Sequence, residues 1–137
     1  MILKKNIVRG DFKSGGEASS KLKDLLRKLG VKSNIARKIT IVTYELEMNI
    51  IIHSDGGEIR AAVTPEFVKV VAEDKGPGIK DLEKAFQPGY STASDQVREL
   101  GFGAGMGLNN IEHYSDDLSV NTDEGIGTKI TATVNLA

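Results

Sequence analysis

The stretch from residue 34 to residue 54, NIARKITIVTYELEMNIIIHS, constrains this chain more than any other. Its apolar positions Ile39, Val42, Leu46 and Ile50 recur at three- and four-residue spacing, the period of a helix face. Ser33 is placed to cap this helix and Gly56-Gly57 to stop it. So apolar a helix must be packed against other elements. Yet Glu45, Asn49 and His53 lie four apart, about one turn each, and therefore stack along one side. A carboxylate, a carboxamide and an imidazole in a row on a core helix carry a desolvation cost that calls for a use. Glu47 falls on a different side and is expected to be solvated.

The elements around it follow from pattern and punctuation. Residues 2–9 read as a strand, with Ile2, Ile7 and Val8. SGGE (14–17) reads as a capping box, Ser14 the N-cap and Glu17 its partner, before a helix that places Ala18, Leu22, Leu25, Leu26 and Leu29 on one face and ends at Gly30. After the 34–54 helix come two strands, 58–64 and 67–73, turned at Pro65-Glu66. A further helix spans about 105–115, and strands at 117–122 and 128–136 close the chain; in the last, Ile130, Ala132, Val134 and Leu136 alternate with polar residues. The order is β-α-α-β-β-loop-α-β-β. Strands paired through tight turns predict an α/β two-layer sandwich, with a mixed, mostly antiparallel sheet and helices on one face. Residues 74–104 break the pattern with two of the three prolines and a polar run, and read as a long, mobile connection with a short helix near 80–86.

Composition narrows the function classes. A chain of 137 residues with 39% hydrophobic and 27% charged residues suits one soluble domain. The net charge of −1 offers no electrostatic case for nucleic acid or an anionic membrane. With no cysteine, thiol chemistry is excluded. No apolar run reaches the roughly 20 residues of a membrane span, and the N-terminal residues lack the apolar core of a signal peptide, so a cytoplasmic protein is expected.

Glycine is the one skew, at 15 residues, many of them in DKGPGI (74–79) and GFGAGMGL (101–108). The second cluster is not a P-loop, because no Gly-Lys-Ser/Thr follows, and it lacks the third glycine and preceding strand of the dinucleotide fingerprint. Successive backbone N–H groups before a helix can hold an anion, or the glycines can serve as a hinge; both readings stay open on this cluster alone. Asp74, at a strand end before Gly76-Pro77-Gly78, can accept a hydrogen bond from an exocyclic amine such as that of adenine, or can simply end a strand in a turn. Asn49 offers a neutral oxygen suited to Mg²⁺, and Glu45 a carboxylate able to orient or deprotonate a hydroxyl. His53 could touch phosphate or satisfy a local hydrogen bond.

Taken together and in order, these motifs resemble the GHKL superfamily of gyrase, histidine kinases, MutL and the heat-shock chaperone of that group. Glu45-x-x-x-Asn49 resembles its N box, Asp74-x-Gly76-x-Gly78 its first glycine box, Gly103-x-Gly105-x-Gly107-Leu108 its second, and Gly127-Thr128 its final Gly-Thr element. The small size and the stretch GPGIKDLEKAFQPGYST are similar to the stand-alone serine kinases and anti-sigma factors of bacterial partner switching, the RsbW and RsbT type. The resemblance implies the Bergerat fold over residues 1–137, with an ATP lid at about 80–102. It implies ATP and Mg²⁺ as cofactors, Asn49 as the metal ligand and Glu45 as the general base for a protein serine. Asp74 and Thr128 would serve adenine; Gly76, Gly78 and Ile79 would line it. The backbone of Gly103, Ala104, Gly105, Met106, Gly107 and Leu108 would donate to the phosphates, and Ser91 and Thr92 would be lid or phosphate contacts. Lys80 or Arg98 would help offset phosphate charge. The implied partners are a STAS-domain anti-sigma-factor antagonist and a sigma factor or phosphatase; the anti-sigma relatives imply a homodimer through the N-terminal strand and first helix, whereas the RsbT-like ones need not dimerise. A non-catalytic ATP-gated binding module of the same fold is the alternative. The departures are Met48 and Ile50, bulky beside Asn49, Lys75 inside the first glycine box, and the segment STASDQVRELGFG (91–103), longer than the short lid of similar switch kinases.

Overall fold

The computed structural model describes residues 3–76, 107–123 and 125–136. Five strands make one sheet: β1 (Leu3–Ile7), β2 (Gly57–Val63), β3 (Phe67–Asp74), β4 (Asp117–Asp123) and β5 (Gly127–Asn135). Their spatial order is β1-β2-β3-β5-β4, and every adjacent pair is antiparallel, so the mixed sheet allowed by the sequence is not needed among these strands. Among the described residues three α-helices cover one face: α1 (Glu17–Lys28), α2 (Ser33–His53) and α3 (Gly107–Tyr114). α2 packs against α1 on one flank and α3 on the other. The expected helix near 80–86 lies outside the described residues.

Alternation places the core. Ile59, Ala72 and Ile130 align across β2, β3 and β5, as do Ala61, Val70 and Ala132, all of them buried toward the helices. Leu46, Ile50 and Ile39 of α2 meet them with no exposed surface or nearly none. The opposite sheet face is polar, with Arg60 bonded to Glu58 at 2.8 Å and reaching Glu73 at 3.2 Å. At one end of the sheet β3 and β5 approach very closely: a Cβ on Gly127 would run into the Asp74 carbonyl oxygen.

Three local expectations are corrected. Glu47 is not solvated but wholly buried. Its Oε1 accepts from the Gly16 N–H at 3.1 Å, and its Oε2 from the Ala18 N–H at 3.3 Å and from Lys5 Nζ at 2.9 Å. Lys5 Nζ also donates to the Ser14 carbonyl at 2.9 Å. This explains the second correction. SGGE is no capping box: Ser14 belongs to a 3-10 turn (Phe12–Ser14), and the N-cap is Gly16, whose φ of +96° suits glycine. The orphan N–H groups of α1 are satisfied by a carboxylate from the neighbouring helix. Ser33 likewise makes no cap; it is the first residue of α2, after Lys32. Third, Leu29 is 60% exposed rather than on the buried face, because α1 stops at Lys28 and Gly30, at φ +79°, turns the chain away.

Removing Glu47 strands a lysine and two helix-end donors. We expect Glu47→Ala to lower the unfolding free energy by about 3 kcal/mol in urea denaturation. Lys5→Met should cost clearly less, since the N–H donors still hold the carboxylate; equal losses would show that the ion pair, not the helix cap, is what matters. Gly127→Ala should cost about 2 kcal/mol by forcing β5 away from the end of β3, and a variant as stable as the parent would contradict the close approach.

Candidate functional site

The C-terminal half of α2 and one end of the sheet are tied together by backbone. α2 ends at His53; Ser54 then caps it, its Oγ bonding the Ile50 carbonyl at 2.7 Å. The next amide, of Asp55, donates to the Lys75 carbonyl at 2.7 Å, and the Lys75 amide donates to the Gly56 carbonyl at 3.0 Å. The Gly76 amide continues to the Ile126 carbonyl at 3.2 Å. Gly76 sits close against the end of α2: a Cβ there would lie 3.1 Å from the Ser54 Cα, so the backbone would have to give by a few tenths of an ångström. The polar row of α2, the first glycine segment and the Gly-Thr turn, far apart in sequence, are thereby joined at one edge.

Asp74 is the best-defined group at this edge. Its Oδ1 accepts the Thr128 backbone N–H at 3.0 Å. The Thr128 hydroxyl is buried and pairs with the Thr122 hydroxyl at 3.0 Å across β4 and β5. Burial pushes the Asp74 carboxyl above its ordinary range, the Thr128 amide draws it back, and Asp55 nearby adds a further upward push. Only one oxygen of this half-buried carboxylate has a partner among the described residues, which leaves the other as an acceptor for a donor group.

The polar row on α2 is only partly tied down. Glu45 is half-buried beside α3, and its Oε1 receives a long hydrogen bond of 3.5 Å from Asn110 Nδ2. Burial raises the Glu45 carboxyl, and Asn110 opposes the rise. Among the described residues no hydrogen-bond partner meets the Asn49 side chain, so a half-buried carboxamide oxygen is available to a hard cation. Burial lowers the His53 pKa from its ordinary 6.5. An imidazole kept neutral is a weak partner for phosphate, which leaves His53 better suited to hydrogen bonding than to charge. The bulky N-box residues do not crowd this row. Met48 and Ile50 are buried in the core, and Met48 Sδ points to Gly15 on the α1 side, where a Cβ would lie 2.9 Å away.

The structure therefore gathers Asp74, Gly76 and Thr128 at the sheet end, and places Glu45, Asn49 and His53 on the helix that abuts it. Gly107 opens α3, followed by half-buried Leu108. Gly78, Ile79, Ser91, Thr92, Gly103, Ala104, Gly105 and Met106, with Lys80 and Arg98, lie outside the described residues. Three further residues were not identified by sequence reasoning. Thr122 depends on the β4–β5 register, which pairs it with Thr128. Asn110 depends on the packing of α3 against α2. Asp55, between Ser54 and the Gly56-Gly57 stop, belongs to no motif, and its effect on Asp74 depends on the pairing of its backbone with Lys75.

Residues 34–137 match the family described as histidine kinase-, DNA gyrase B-, and HSP90-like ATPase. Among curated relatives, the serine/threonine-protein kinase RsbT of Bacillus subtilis is 31% identical over 80% of this chain and 80% of its own length. The anti-sigma F factor of Bacillus licheniformis is 35% identical over 73% of this chain and 69% of its own. Among solved structures, the SiaB-SiaC complex from Pseudomonas aeruginosa superposes with a TM-score of 0.65 at 16% identity, covering 97% of this chain and 89% of that one. The mycobacterial sensor histidine kinase MprB gives 0.56 at 16% identity, over 97% of both chains. These last two share the fold. The matched segment contains α2, β2, β3, α3, β4 and β5, and with them every candidate site residue. The chain belongs to the histidine kinase-, DNA gyrase B- and HSP90-like ATPase family, in the branch of stand-alone serine/threonine kinases and anti-sigma factors.

Proposed function

We propose that this protein is an ATP- and Mg²⁺-dependent protein serine/threonine kinase that acts as a regulatory switch or anti-sigma factor. Its substrate is a STAS-domain antagonist, and its second partner is a sigma factor or phosphatase. The observation that carries the reading is the pairing of a half-buried Glu45, raised in pKa and held by Asn110, with an Asn49 one turn on that has no hydrogen-bond partner among the described residues, beside a tied Asp74. The family membership supports ATP use; the kinase relatives support the transfer. In this reading residues 1–137 form one ATP-binding domain that works in the cytoplasm, with 80–102 as its lid, and the chain can pair with a second copy.

The roles follow from the chemistry of each group. Asp74 accepts from the adenine amine through its free oxygen, while Thr128 and Thr122 hold the polar edge beside it. Gly76, with Gly78 and Ile79, would line the flat base. Backbone amides from Gly103 to Leu108, with Ser91 and Thr92, would hold the phosphates, and Asn49 would hold Mg²⁺ with His53 bonding nearby. ATP supplies the γ-phosphoryl group. Glu45 accepts the proton of the serine hydroxyl, and because it must be ionised to do so, its raised pKa sets the acid limit of the reaction. With no P-loop lysine, catalysis rests on positioning and electrostatics.

Asp74→Asn keeps an oxygen for the Thr128 amide but presents an amine to adenine. Fluorescent-nucleotide titration should show ATP affinity reduced by about tenfold or more, on the scale of a buried hydrogen-bond mismatch; unchanged affinity would count against the adenine assignment. Glu45→Gln should retain ATP binding and lose phosphoryl transfer to a STAS-domain substrate by about a hundredfold or more. In the parent, transfer should fall on acidification at a pH above the ordinary carboxylate value of 4.5. Asn110→Ala removes the bond that lowers the Glu45 pKa, so the acid limb should move to higher pH. An acid limb that stays in place would show that Glu45 is not the titrating base.

A further inference from the structure

On the helix-facing side of the sheet, strand register lines up Ile59, Ala72, Ile130 and Val120 across β2, β3, β5 and β4. That row is apolar. The next row on the same side, at the sheet end, is Gly57, Asp74, Thr128 and Thr122. Asp74 and Thr128 belong to the family motifs; Thr122 belongs to none of them. The other helix-facing residues of β4, Leu118 and Val120, are apolar, and a valine at 122 would have the shape of threonine without its hydroxyl. Withdrawing a hydroxyl from water is unfavourable unless it is hydrogen-bonded, so its contacts define its use.

Two contacts do so. Thr122 Oγ1 donates to the Gly127 carbonyl in a long bond of 3.5 Å, and lies 3.0 Å from Thr128 Oγ1. A carbonyl only accepts, and a threonine hydroxyl has one proton. With the Thr122 proton directed at Gly127, the contact between the two hydroxyls is made by the proton of Thr128. Thr128 is only 6% exposed, so its hydroxyl takes its direction from its neighbours rather than from bulk water. The Thr128 oxygen is then left with lone pairs alone. On the paired strand Asp74 gives Oδ1 to the Thr128 amide, and its other oxygen is a second acceptor.

We propose that Thr122 sets the base specificity of the nucleotide site: it draws the Thr128 proton away, so that Thr128 and Asp74 present two acceptors and select a purine with an amino group over one with a carbonyl. A primary amine has two hydrogens to give, directly or through water. A carbonyl oxygen in the same place would meet two acceptors and no donor, which is a mismatch built against the wrong base. Thr122 acts through Thr128 and is therefore a positioning residue. The inference rests on the reading of Asp74 as the group that meets the base, and adds to it a residue on a different strand.

The test uses the full chain and displacement of a fluorescent nucleotide by ATP and by ITP, whose base carries a carbonyl where adenine carries the amine. The parent should prefer ATP by about tenfold or more. Thr122→Val keeps the shape and releases the Thr128 proton to donate to the carbonyl. The ATP/ITP preference should narrow by about tenfold, chiefly because ITP binds more tightly. Thr122→Ser restores the hydroxyl and should keep the parent preference. Thr122→Ala should act like the valine variant, and carries the test if that one fails to fold. A merely structural role would weaken both nucleotides together. The proposal is overturned by an unchanged ATP/ITP ratio in the hydroxyl-free variants, by an equal loss of both nucleotides, or by a serine variant that behaves like the valine one. Asp74→Asn separates this inference from the reading beneath it. If that variant loses ATP affinity while the Thr122 variants leave the ratio unchanged, only the role of Thr122 falls. If it leaves ATP affinity unchanged, the adenine reading falls and the role of Thr122 with it.

Discussion

The buried carboxylate of Glu47 holds the helical layer to the sheet. Leaving one charge in a protein interior costs several kcal/mol, and the cost is offset here by an ion pair with Lys5 and by two amide donors at the head of α1. One side chain thus joins three elements that the hydrophobic effect alone would leave free to slide. β1 is placed beside β2, α1 is capped, and α2 is held between them. Because burial of apolar area is non-directional, it is this polar contact that selects one arrangement of α1 on α2.

α2 is consequently a helix with two polar duties on two sides. Glu47 faces α1 and is spent on structure. Glu45, two residues earlier, faces α3 and is held among the described residues by one long bond. The same contrast separates Met48, packed toward Gly15, from Asn49, which has no hydrogen-bond partner among the described residues. Two carboxylates on one helix differ in role because their surroundings differ in donors, not because the residues differ. The sheet end works similarly: Asp74 gives one oxygen to the Thr128 amide and is raised by burial and by Asp55, so a strand-ending carboxylate becomes a selective acceptor.

Much of the fold was legible because periodicity reports burial locally. The strands at 58–64 and 67–73 fall within a residue of β2 and β3, and the 34–54 helix within one of α2. The helix face Ala18, Leu22 and Leu26 is buried as its spacing requires. The failures share one cause. A capping box is a local pattern, and Ser14, Glu17 and Ser33 fitted local patterns; the actual cap of α1 comes from a residue 31 positions beyond Gly16. Leu29 has the helical spacing but lies past the last helical residue. Likewise the partners Asn110 and Thr122 are set by helix packing and strand register, neither of which is written in any short window.

The sequence by itself determined the element order, the two-layer architecture, the family motifs and the identity of Glu45, Asn49, Asp74, Gly76 and Thr128 as candidate groups. Each of these rests on spacing along the chain or on residue chemistry, both of which survive without coordinates. Tertiary structure alone decided which glutamate is buried as a cap and which stands half-buried beside α3, and which threonine pairs with Thr128 next to Asp74. Those outcomes depend on the partners met across space, and desolvation and hydrogen bonding take their values only once those partners are in place.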